Sequence, residues 1–257
     1  MRLLNAGLSM LLAVAPLVAA DAPYAGKWKL DIAKSDLGST TSTYAQLPSG
    51  EMQATSDGQS YKFRLDGKDY PDPFGDTAAW TSIDASTWKT VWKLNGKVIA
   101  TDNLKVSADG KTLTIETTGT KPNGEKMDDK SILQRVAGTQ GLAGTWKMQK
   151  YTPSGPEIFE LTPSAGNGLK FQMIDMQMTC DAKVDGKDYP CIGPTMGTGW
   201  TIAYTSKNPR ELGLTVKKDG KPLYQYLYTV STDGKTMTAT GGATATTEKV
   251  KYVYEKM

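Results

Sequence analysis

Histidine is absent from this chain of 257 residues, and cysteine occurs only twice. Without an imidazole there is no Ser-His-Asp or Cys-His catalysis and no histidine-ligated zinc. Two cysteines are too few for a cysteine-based zinc or iron–sulfur site. The sequence also contains no Walker loop and no Gly-x-Ser-x-Gly nucleophile elbow. We therefore predict a protein that is not an enzyme and that needs neither a metal nor another cofactor.

Charge of one sign is also scarce, because 30 Lys and Arg residues are balanced by 27 Asp and Glu residues. The resulting net charge of +3 is spread along the chain and is too small for a nucleic-acid-binding surface. Hydrophobic residues make up 39% and charged residues 22% of the chain, which is typical of globular proteins and excludes disorder. We expect no nucleic-acid partner.

Residues 1–20 have the pattern of a secretory signal peptide. Arg2 provides the positive charge, residues 3–18 are mostly apolar, and Val18-Ala19-Ala20 resembles a cleavage site of small residues. The alternative is a retained membrane helix, which needs about 20 apolar residues and is opposed by Pro16. We predict a secreted or periplasmic protein with no integral membrane segment after cleavage.

An exported protein with two cysteines is expected to form a disulfide, here between Cys180 and Cys191. Asp185-Gly186 has the composition of a two-residue type I′ turn, and a hairpin centred on it places the cysteines opposite each other. In such a hairpin they form a hydrogen-bonded pair with Cα atoms about 5.5 Å apart, within reach of a disulfide. The alternative is a pair of buried free thiols.

Asp-Gly and Asn-Gly dipeptides divide the chain into short segments of alternating apolar and polar residues. They begin at positions 57, 66, 95, 109, 123, 167, 185, 219 and 233. Alternation with period two between such turn signals predicts antiparallel strands. Only the Ser/Thr-rich stretch 35–50 is interpreted as short helix or irregular coil. The predicted fold class is all-β.

The sequence is also a tandem repeat. Three segments recur in the same order: Ala25–Lys29 as Ala143–Lys147, Asp66–Pro71 as Asp185–Pro190, and Ser107–Thr114 as Ser231–Thr238. We therefore predict a signal peptide over 1–20, a first domain over 21–137 and a second over 138–257. Each domain has room for about eight strands, and an antiparallel meander of that size closes into an up-and-down barrel that leaves no exposed strand edges.

Gly-x-Trp at the start of an antiparallel meander, followed by the other two repeated segments, resembles the lipocalin-like (calycin) domains of uncharacterised secreted bacterial proteins. The resemblance covers residues 25–136 and 143–257 and implies that a barrel binds a small apolar molecule. In lipocalins a cationic side chain of the last strand covers the motif tryptophan. The resemblance therefore implies pairs of Trp28 with Arg135 and of Trp146 with Lys256, unless the two cations are simply solvated strand ends.

The second domain is the better candidate for a ligand cavity. Phenol hydroxyls in a barrel interior need partners that an apolar core lacks, whereas the bulky indoles of Trp88 and Trp92 fill the first barrel. The candidate ligand-binding residues are Trp200, Tyr204, Tyr224, Tyr226, Tyr228 and Met173. We predict non-catalytic binding of a small apolar or amphipathic molecule. The alternatives are filled barrels that bind a protein partner through their surface and, third, an enzyme that uses only carboxylates and tyrosines.

Two hairpins pose a problem of side-chain parity. A two-residue loop at Asn95-Gly96 pairs Trp92 with Ile99, which puts Leu104 and Val106 on the wrong face of the sheet. The hairpin at Asp219-Gly220 has the same misfit. We therefore predict three-residue loops, 94–96 and 218–220, each with its glycine in the left-handed conformation of a β-bulge.

Four aspartates around one hairpin, Asp66, Asp69, Asp72 and Asp76, are a candidate calcium site because Ca²⁺ prefers oxygen ligands. The second repeat retains only two of them, Asp185 and Asp188, and the spacing fits no twelve-residue calcium loop. We interpret the four as turn residues and solvated carboxylates.

Overall fold

The computed structural model describes residues 22–36 and 40–257 and shows an all-β protein, which confirms the predicted fold class. The only helical element described is a single 3-10 turn at Ile32–Lys34. The predicted signal peptide lies outside the described residues. Within these residues no helix has the length and apolar character needed to cross a membrane.

The strands are numbered in chain order. Their bounds are β1 Gly26–Leu30, β2 Thr41–Gln46, β3 Met52–Ser56, β4 Gln59–Phe63, β5 Asp66–Pro71, β6 Thr77–Ser82, β7 Thr87–Leu94, β8 Lys97–Val106, β9 Thr112–Thr120, β10 Lys126–Ala137, β11 Gly144–Thr152, β12 Ile158–Ser164, β13 Gly168–Met173, β14 Met178–Lys183, β15 Tyr189–Ile192, β16 Trp200–Asn208, β17 Glu211–Lys218, β18 Lys221–Val230, β19 Thr236–Ala243 and β20 Val250–Lys256. Strand β2 corrects the expectation of helix or coil for residues 41–46, whereas residues 47–50 form a turn. Its β-branched threonines and the buried Tyr44 suit a half-buried strand.

The strands form two antiparallel ten-stranded sheets rather than the eight-stranded barrels expected. The closed barrel consists of β1 and β12 to β20, with β1 between β12 and β20. The nested sheet consists of β2 to β11 in the order β4-β3-β2-β11-β10-β9-β8-β7-β6-β5. Its two edge strands, β4 and β5, are consecutive in the chain, so the sheet curves round almost to closure.

The two repeats exchange their first strands. Strand β1 belongs to the first repeat but pairs with β12 and β20 of the second, and β11 belongs to the second repeat but pairs with β10 and β2 of the first. The nested sheet is therefore continuous in the chain and is inserted between β1 and β12 of the closed barrel. The boundary predicted between 21–137 and 138–257 separates the sequence repeats but does not separate the two sheets.

This exchange also corrects the predicted tryptophan–cation pairs. Trp28 and Trp146 are both fully buried, but Trp28 pairs across strands with Lys256 and Trp146 pairs with Arg135. The Lys256 ammonium lies 5.2 Å from the centre of the Trp28 ring, and the Arg135 guanidinium lies 4.0 Å from that of Trp146. The expected type of contact is present, with the partners interchanged.

The two hairpins with the parity problem have two-residue turns, so the predicted three-residue loops are wrong, although Gly96 and Gly220 do have the predicted left-handed conformation. Leu94 pairs with Lys97, and both Asn95 (φ 51°) and Gly96 (φ 78°) adopt the left-handed conformation of a type I′ turn. The extra residue lies in the strand instead. The register shifts between Trp92, which pairs with Ala100, and Lys93, which pairs with Val98, so Ile99 is left unpaired. The second hairpin repeats this arrangement, with a shift between Val216 and Lys217. A β-bulge in the strand, rather than a longer loop, restores the parity.

Candidate functional site

The closed barrel contains a cavity of about 370 Å³. Apolar and aromatic side chains provide most of its wall, and two residues from the nested sheet close its mouth. The lining residues are Phe74, Asp76, Phe171, Met178, Cys180, Cys191, Thr195, Met196, Gly197, Trp200, Ile202, Tyr204, Leu214, Val216, Tyr226 and Tyr228. A cavity of this size lies within the range of small-molecule sites.

Four of the six predicted ligand-binding residues, Trp200, Tyr204, Tyr226 and Tyr228, line this cavity. Met173 packs against the barrel core at the end of β13 but is not part of the lining. Tyr224 lines a separate cavity of about 60 Å³, and its hydroxyl donates a hydrogen bond to the Asp57 carboxylate at 3.1 Å. The structure therefore brings four of the predicted residues together and excludes two.

Cross-strand pairing explains why these side chains meet. On β16 to β18, Ile202 lies opposite Val216, and Tyr204 lies opposite Leu214, which is in turn opposite Tyr226. Because alternate residues of a strand point to the same face, this register puts them side by side on the inner surface. The β-bulge after Val216 keeps Tyr226 and Tyr228 on that surface.

Two tyrosine hydroxyls inside the barrel lack protein partners. Tyr204 is 1% exposed and Tyr228 is 9% exposed. Among the described residues, neither hydroxyl has a hydrogen-bond partner. Burial raises the pKa of both phenols, so they remain neutral and able to donate one hydrogen bond each. Because both residues line the cavity, their hydroxyls can donate to a water molecule or a ligand there.

The mouth of the cavity is covered by the β5–β6 loop of the nested sheet. The Asp72 carboxylate holds this loop in shape by accepting hydrogen bonds from the backbone N–H groups of Phe74, Gly75 and Asp76. The Phe74 ring stacks on Trp200 with 6.1 Å between the ring centres and 12° between the planes. No repeat pattern could have predicted this contact, because it joins the two sheets.

Asp76 and Lys218 provide the charged groups at the mouth. Burial, reinforced by the nearby charge of Asp72, raises the pKa of Asp76 to about 6, although the positive charge of Lys218 opposes the shift. The Lys218 ammonium lies 5.9 Å from the centre of the Trp200 ring and donates a hydrogen bond to the Thr198 carbonyl. The wall of this apolar cavity thus includes a carboxyl group whose pKa is raised to about 6.

The disulfide between Cys180 and Cys191 is present and forms part of the cavity wall. The two residues pair across β14 and β15 as predicted, but their Cα atoms are 4.3 Å apart, closer than the 5.5 Å expected. Asp185 has no positive φ, so Asp185-Gly186 is not the predicted type I′ turn. Instead the loop is wide, and the Gly186 N–H donates to the Tyr204 carbonyl of the neighbouring strand.

The four clustered aspartates each have a different local partner. Asp66 accepts from the Lys68 backbone and Asp69 pairs with Lys93 at 2.8 Å, whereas Asp72 and Asp76 belong to the loop at the mouth. Within residues 22–36 and 40–257, no group of three or more carboxylate or thiol side chains could hold a metal ion.

The nested sheet also contains a cavity, of about 160 Å³. The prediction that only the second half of the chain has an open interior is therefore wrong, although the larger cavity does lie there. Trp92 was expected to fill this space, but it forms part of the cavity wall, where its indole donates a hydrogen bond to Asp102.

No protein-family model, no curated protein and no solved structure matches this chain.

Proposed function

We propose that this protein is exported and binds a small apolar or amphipathic molecule in the cavity of the closed barrel. One observation carries the proposal: about 370 Å³ of space lies where side chains would fill a purely structural barrel. The ligand binds without chemical change, because the cavity presents tyrosines and one carboxyl group but no nucleophile paired with a base.

The arrangement of polar groups favours an amphipathic ligand. The hydroxyls of Tyr204 and Tyr228 offer hydrogen bonds within the barrel. Asp76 and Lys218 offer charge at the mouth, and Trp200 lies between these two regions. The apolar body of such a molecule occupies the barrel while its polar group remains near the mouth.

Export is supported by the disulfide, because such bonds persist in oxidising compartments. We also propose kinship with lipocalin-like domains, on the basis of the repeated motifs and the barrel. The alternative function, a structural protein that binds a protein partner through its surface, was based on filled barrels. The cavity is the observation that favours a small-molecule ligand over that alternative.

The proposal is tested by titrating the folded protein with an environment-sensitive apolar dye and by native mass spectrometry of the secreted protein. We expect saturable binding at one dye per chain and a co-purified small molecule. Val216→Trp places an indole in the cavity and should abolish binding, whereas Val98→Trp, on the exposed surface of the nested sheet, should not.

The tyrosines provide a matched pair on one strand. Tyr228→Phe removes a hydroxyl from a residue that lines only this cavity and should change the Kd of an amphipathic ligand about fivefold, equivalent to about 1 kcal/mol. Tyr224→Phe removes the hydroxyl bound to Asp57, outside the cavity, and should leave the Kd unchanged. Dye binding that survives Val216→Trp in a folded protein would rule out the closed barrel as the site.

A further inference from the structure

The cavity of the nested sheet has an unusually aromatic wall. Four aromatic side chains from four strands surround it, and Phe74 of the β5–β6 loop lies at one side. The four are Tyr44, Tyr61, Trp80 and Trp92. Tyr44 and Trp80 meet edge to face with ring centres 5.8 Å apart, and Tyr61 and Trp92 do so at 6.3 Å.

Hydrogen bonds and stacking fix these rings in place. The Trp80 indole donates to the Tyr61 hydroxyl at 3.0 Å, and the Trp80 ring stacks on Phe63 with 4.4 Å between the centres. Phe63 is fully buried, and Trp80 is 2% exposed. The wall is therefore preorganised, and a ligand pays little entropy to order it.

A carboxylate faces this aromatic space. Asp102 lies on the inner face of β8, two residues before the buried Leu104, and lines the cavity. One of its oxygens accepts a hydrogen bond from the Trp92 indole at 2.7 Å, and the other accepts one from the Thr117 hydroxyl at 2.6 Å. Two carboxylate oxygens can accept about four such bonds, so Asp102 can accept further hydrogen bonds from a ligand in the cavity that it lines.

The charges around the cavity are all of one sign. Asp72 is the second carboxylate in its wall, and no lysine or arginine of the described chain lines it. Burial raises the pKa of Asp102, and the Trp92 and Thr117 side chains that donate hydrogen bonds to its carboxylate are both neutral. A cation in the cavity would supply that charge, and the faces of the aromatic rings attract a cation as well.

We propose that the cavity of the nested sheet binds a small organic cation, an amine or quaternary ammonium ion, held between its aromatic rings and Asp102. The ligand is compact, because cavities of about 150 Å³ accommodate molecules the size of benzene. The walls of the two cavities share only Phe74, and the inference does not depend on the function proposed for the closed-barrel cavity.

Choline and its neutral carbon analogue, 3,3-dimethylbutan-1-ol, test the proposal on the unaltered protein. The two molecules have nearly the same shape and differ in charge. Titration followed by the fluorescence of the tryptophans, with calorimetry as a second readout, should show choline binding at least tenfold more tightly. Equal affinity, or no saturable binding of choline, would overturn the proposal.

Three variants locate the site. Asp102→Asn keeps the shape and removes the charge, and we expect a loss of choline affinity of about tenfold or more. Asp69→Asn removes an exposed carboxylate from the same sheet and should leave the affinity unchanged. Val216→Trp fills the closed barrel and should also have no effect, whereas a loss of choline binding in this variant would place the cation in the other cavity and refute the assignment. If Asp102→Asn fails to fold, the comparison of choline with its neutral analogue still decides the matter.

Discussion

Asp76 is a side chain through which the stability of the folded protein depends on pH. It belongs to the nested sheet by its position in the chain, yet it lines the cavity of the closed barrel. Its pKa rises from 3.8 to about 6 in the folded protein, chiefly because burial disfavours the charged carboxylate. The folded state therefore holds a proton that the unfolded chain releases earlier as the pH rises.

This difference predicts a loss of stability with rising pH. The stabilisation from Asp76 is fully present below about pH 4, where both states are protonated. It is lost as the pH rises to 6, because the unfolded chain releases this proton first and the folded state binds it more tightly. Since Asp76 is only half-buried, solvent screening reduces the effect to about 1 kcal/mol. Chemical denaturation at several pH values between 4 and 7 should show this slope.

Asp76→Asn provides the control, because it removes the titrating group and keeps the size of the side chain. The difference in free energy of unfolding between parent and variant isolates Asp76 from Asp102 and Glu157, whose pKa values are also raised by burial. If the free energy of unfolding of parent and variant changed with pH in parallel, Asp76 would not be the source of the pH dependence.

At the residue scale, the sequence predicted which side chains face inward and which type of contact they make, but it did not predict which residue makes the contact. Parity along the strands identified Tyr204, Tyr226 and Tyr228 as inner residues, because alternation is a local property. The covering of each motif tryptophan by a cation was also expected. The choice between Arg135 and Lys256 could not be made, because both tryptophans follow the same Gly-x-Trp-Lys motif and only the path of the chain distinguishes them.

Among the strands, β15 is the weakest element of the closed barrel. It forms two residue pairs with β14 and two with β16, whereas β14 forms six with β13 and β16 forms seven with β17. One of the two pairs with β14 is the disulfide itself. The covalent bond therefore holds the barrel together at the point where the ladder of hydrogen bonds is shortest.

Removal of the disulfide should consequently destabilise the barrel and alter its cavity. We expect Cys180→Ala combined with Cys191→Ala to lower the free energy of unfolding by about 3 kcal/mol, the value typical of loops of this size. Dye binding should weaken too, since both residues line the cavity. Urea denaturation and dye titration measure the two effects. Thr179→Ala with Ile192→Ala changes the adjacent pair and should cost much less; an equal loss would assign the effect to strand pairing alone.

The hairpins show what the sequence could and could not determine at the level of elements. The misfit at Asn95-Gly96 correctly required one additional residue, because parity is fixed by counting along the chain. Its location was not determined by counting. A type I′ turn suits the right-handed twist of the flanking strands, so the two-residue turn is retained and the additional residue is left in the strand at Ile99.

The exchange of β1 and β11 determines the architecture of the whole molecule. Both strands begin with Gly-x-Trp-Lys, and each has a cation from a final strand over its tryptophan. The local surroundings of the two tryptophans are therefore alike. The sequence repeats revealed the duplication but could not reveal the exchange, because local patterns do not record which copy a strand joins.

This architecture predicts which fragments fold. Residues 40–152 contain every strand of the nested sheet and should unfold cooperatively when expressed alone. Residues 138–257 correspond to a complete sequence repeat but lack β1, so their barrel has two unpaired edges and should aggregate or remain unfolded. Circular dichroism and thermal denaturation of the two fragments provide the measurement.

A rearranged chain provides the matched control. Residues 153–257 followed by a short glycine-serine linker and residues 22–36 restore β1 beside β20, where the Met257 N–H already donates a hydrogen bond to the Lys27 carbonyl. We expect this chain to fold. If residues 138–257 alone proved as stable as the rearranged chain, the exchange would have no energetic role.

The position of β1 also sets the order in which the protein can assemble as it is synthesised. The Lys256 ammonium contacts the Pro23 carbonyl across 233 positions of the chain, so β1 is made long before β20, with which it pairs. The nested sheet can fold while the rest is still being made, but contacts this distant in sequence form late. A chain interrupted before β20 would contain most of the strands of the closed barrel and still leave β1 without one of its two neighbours. The cavity of that barrel would therefore be complete only once β20 had been made.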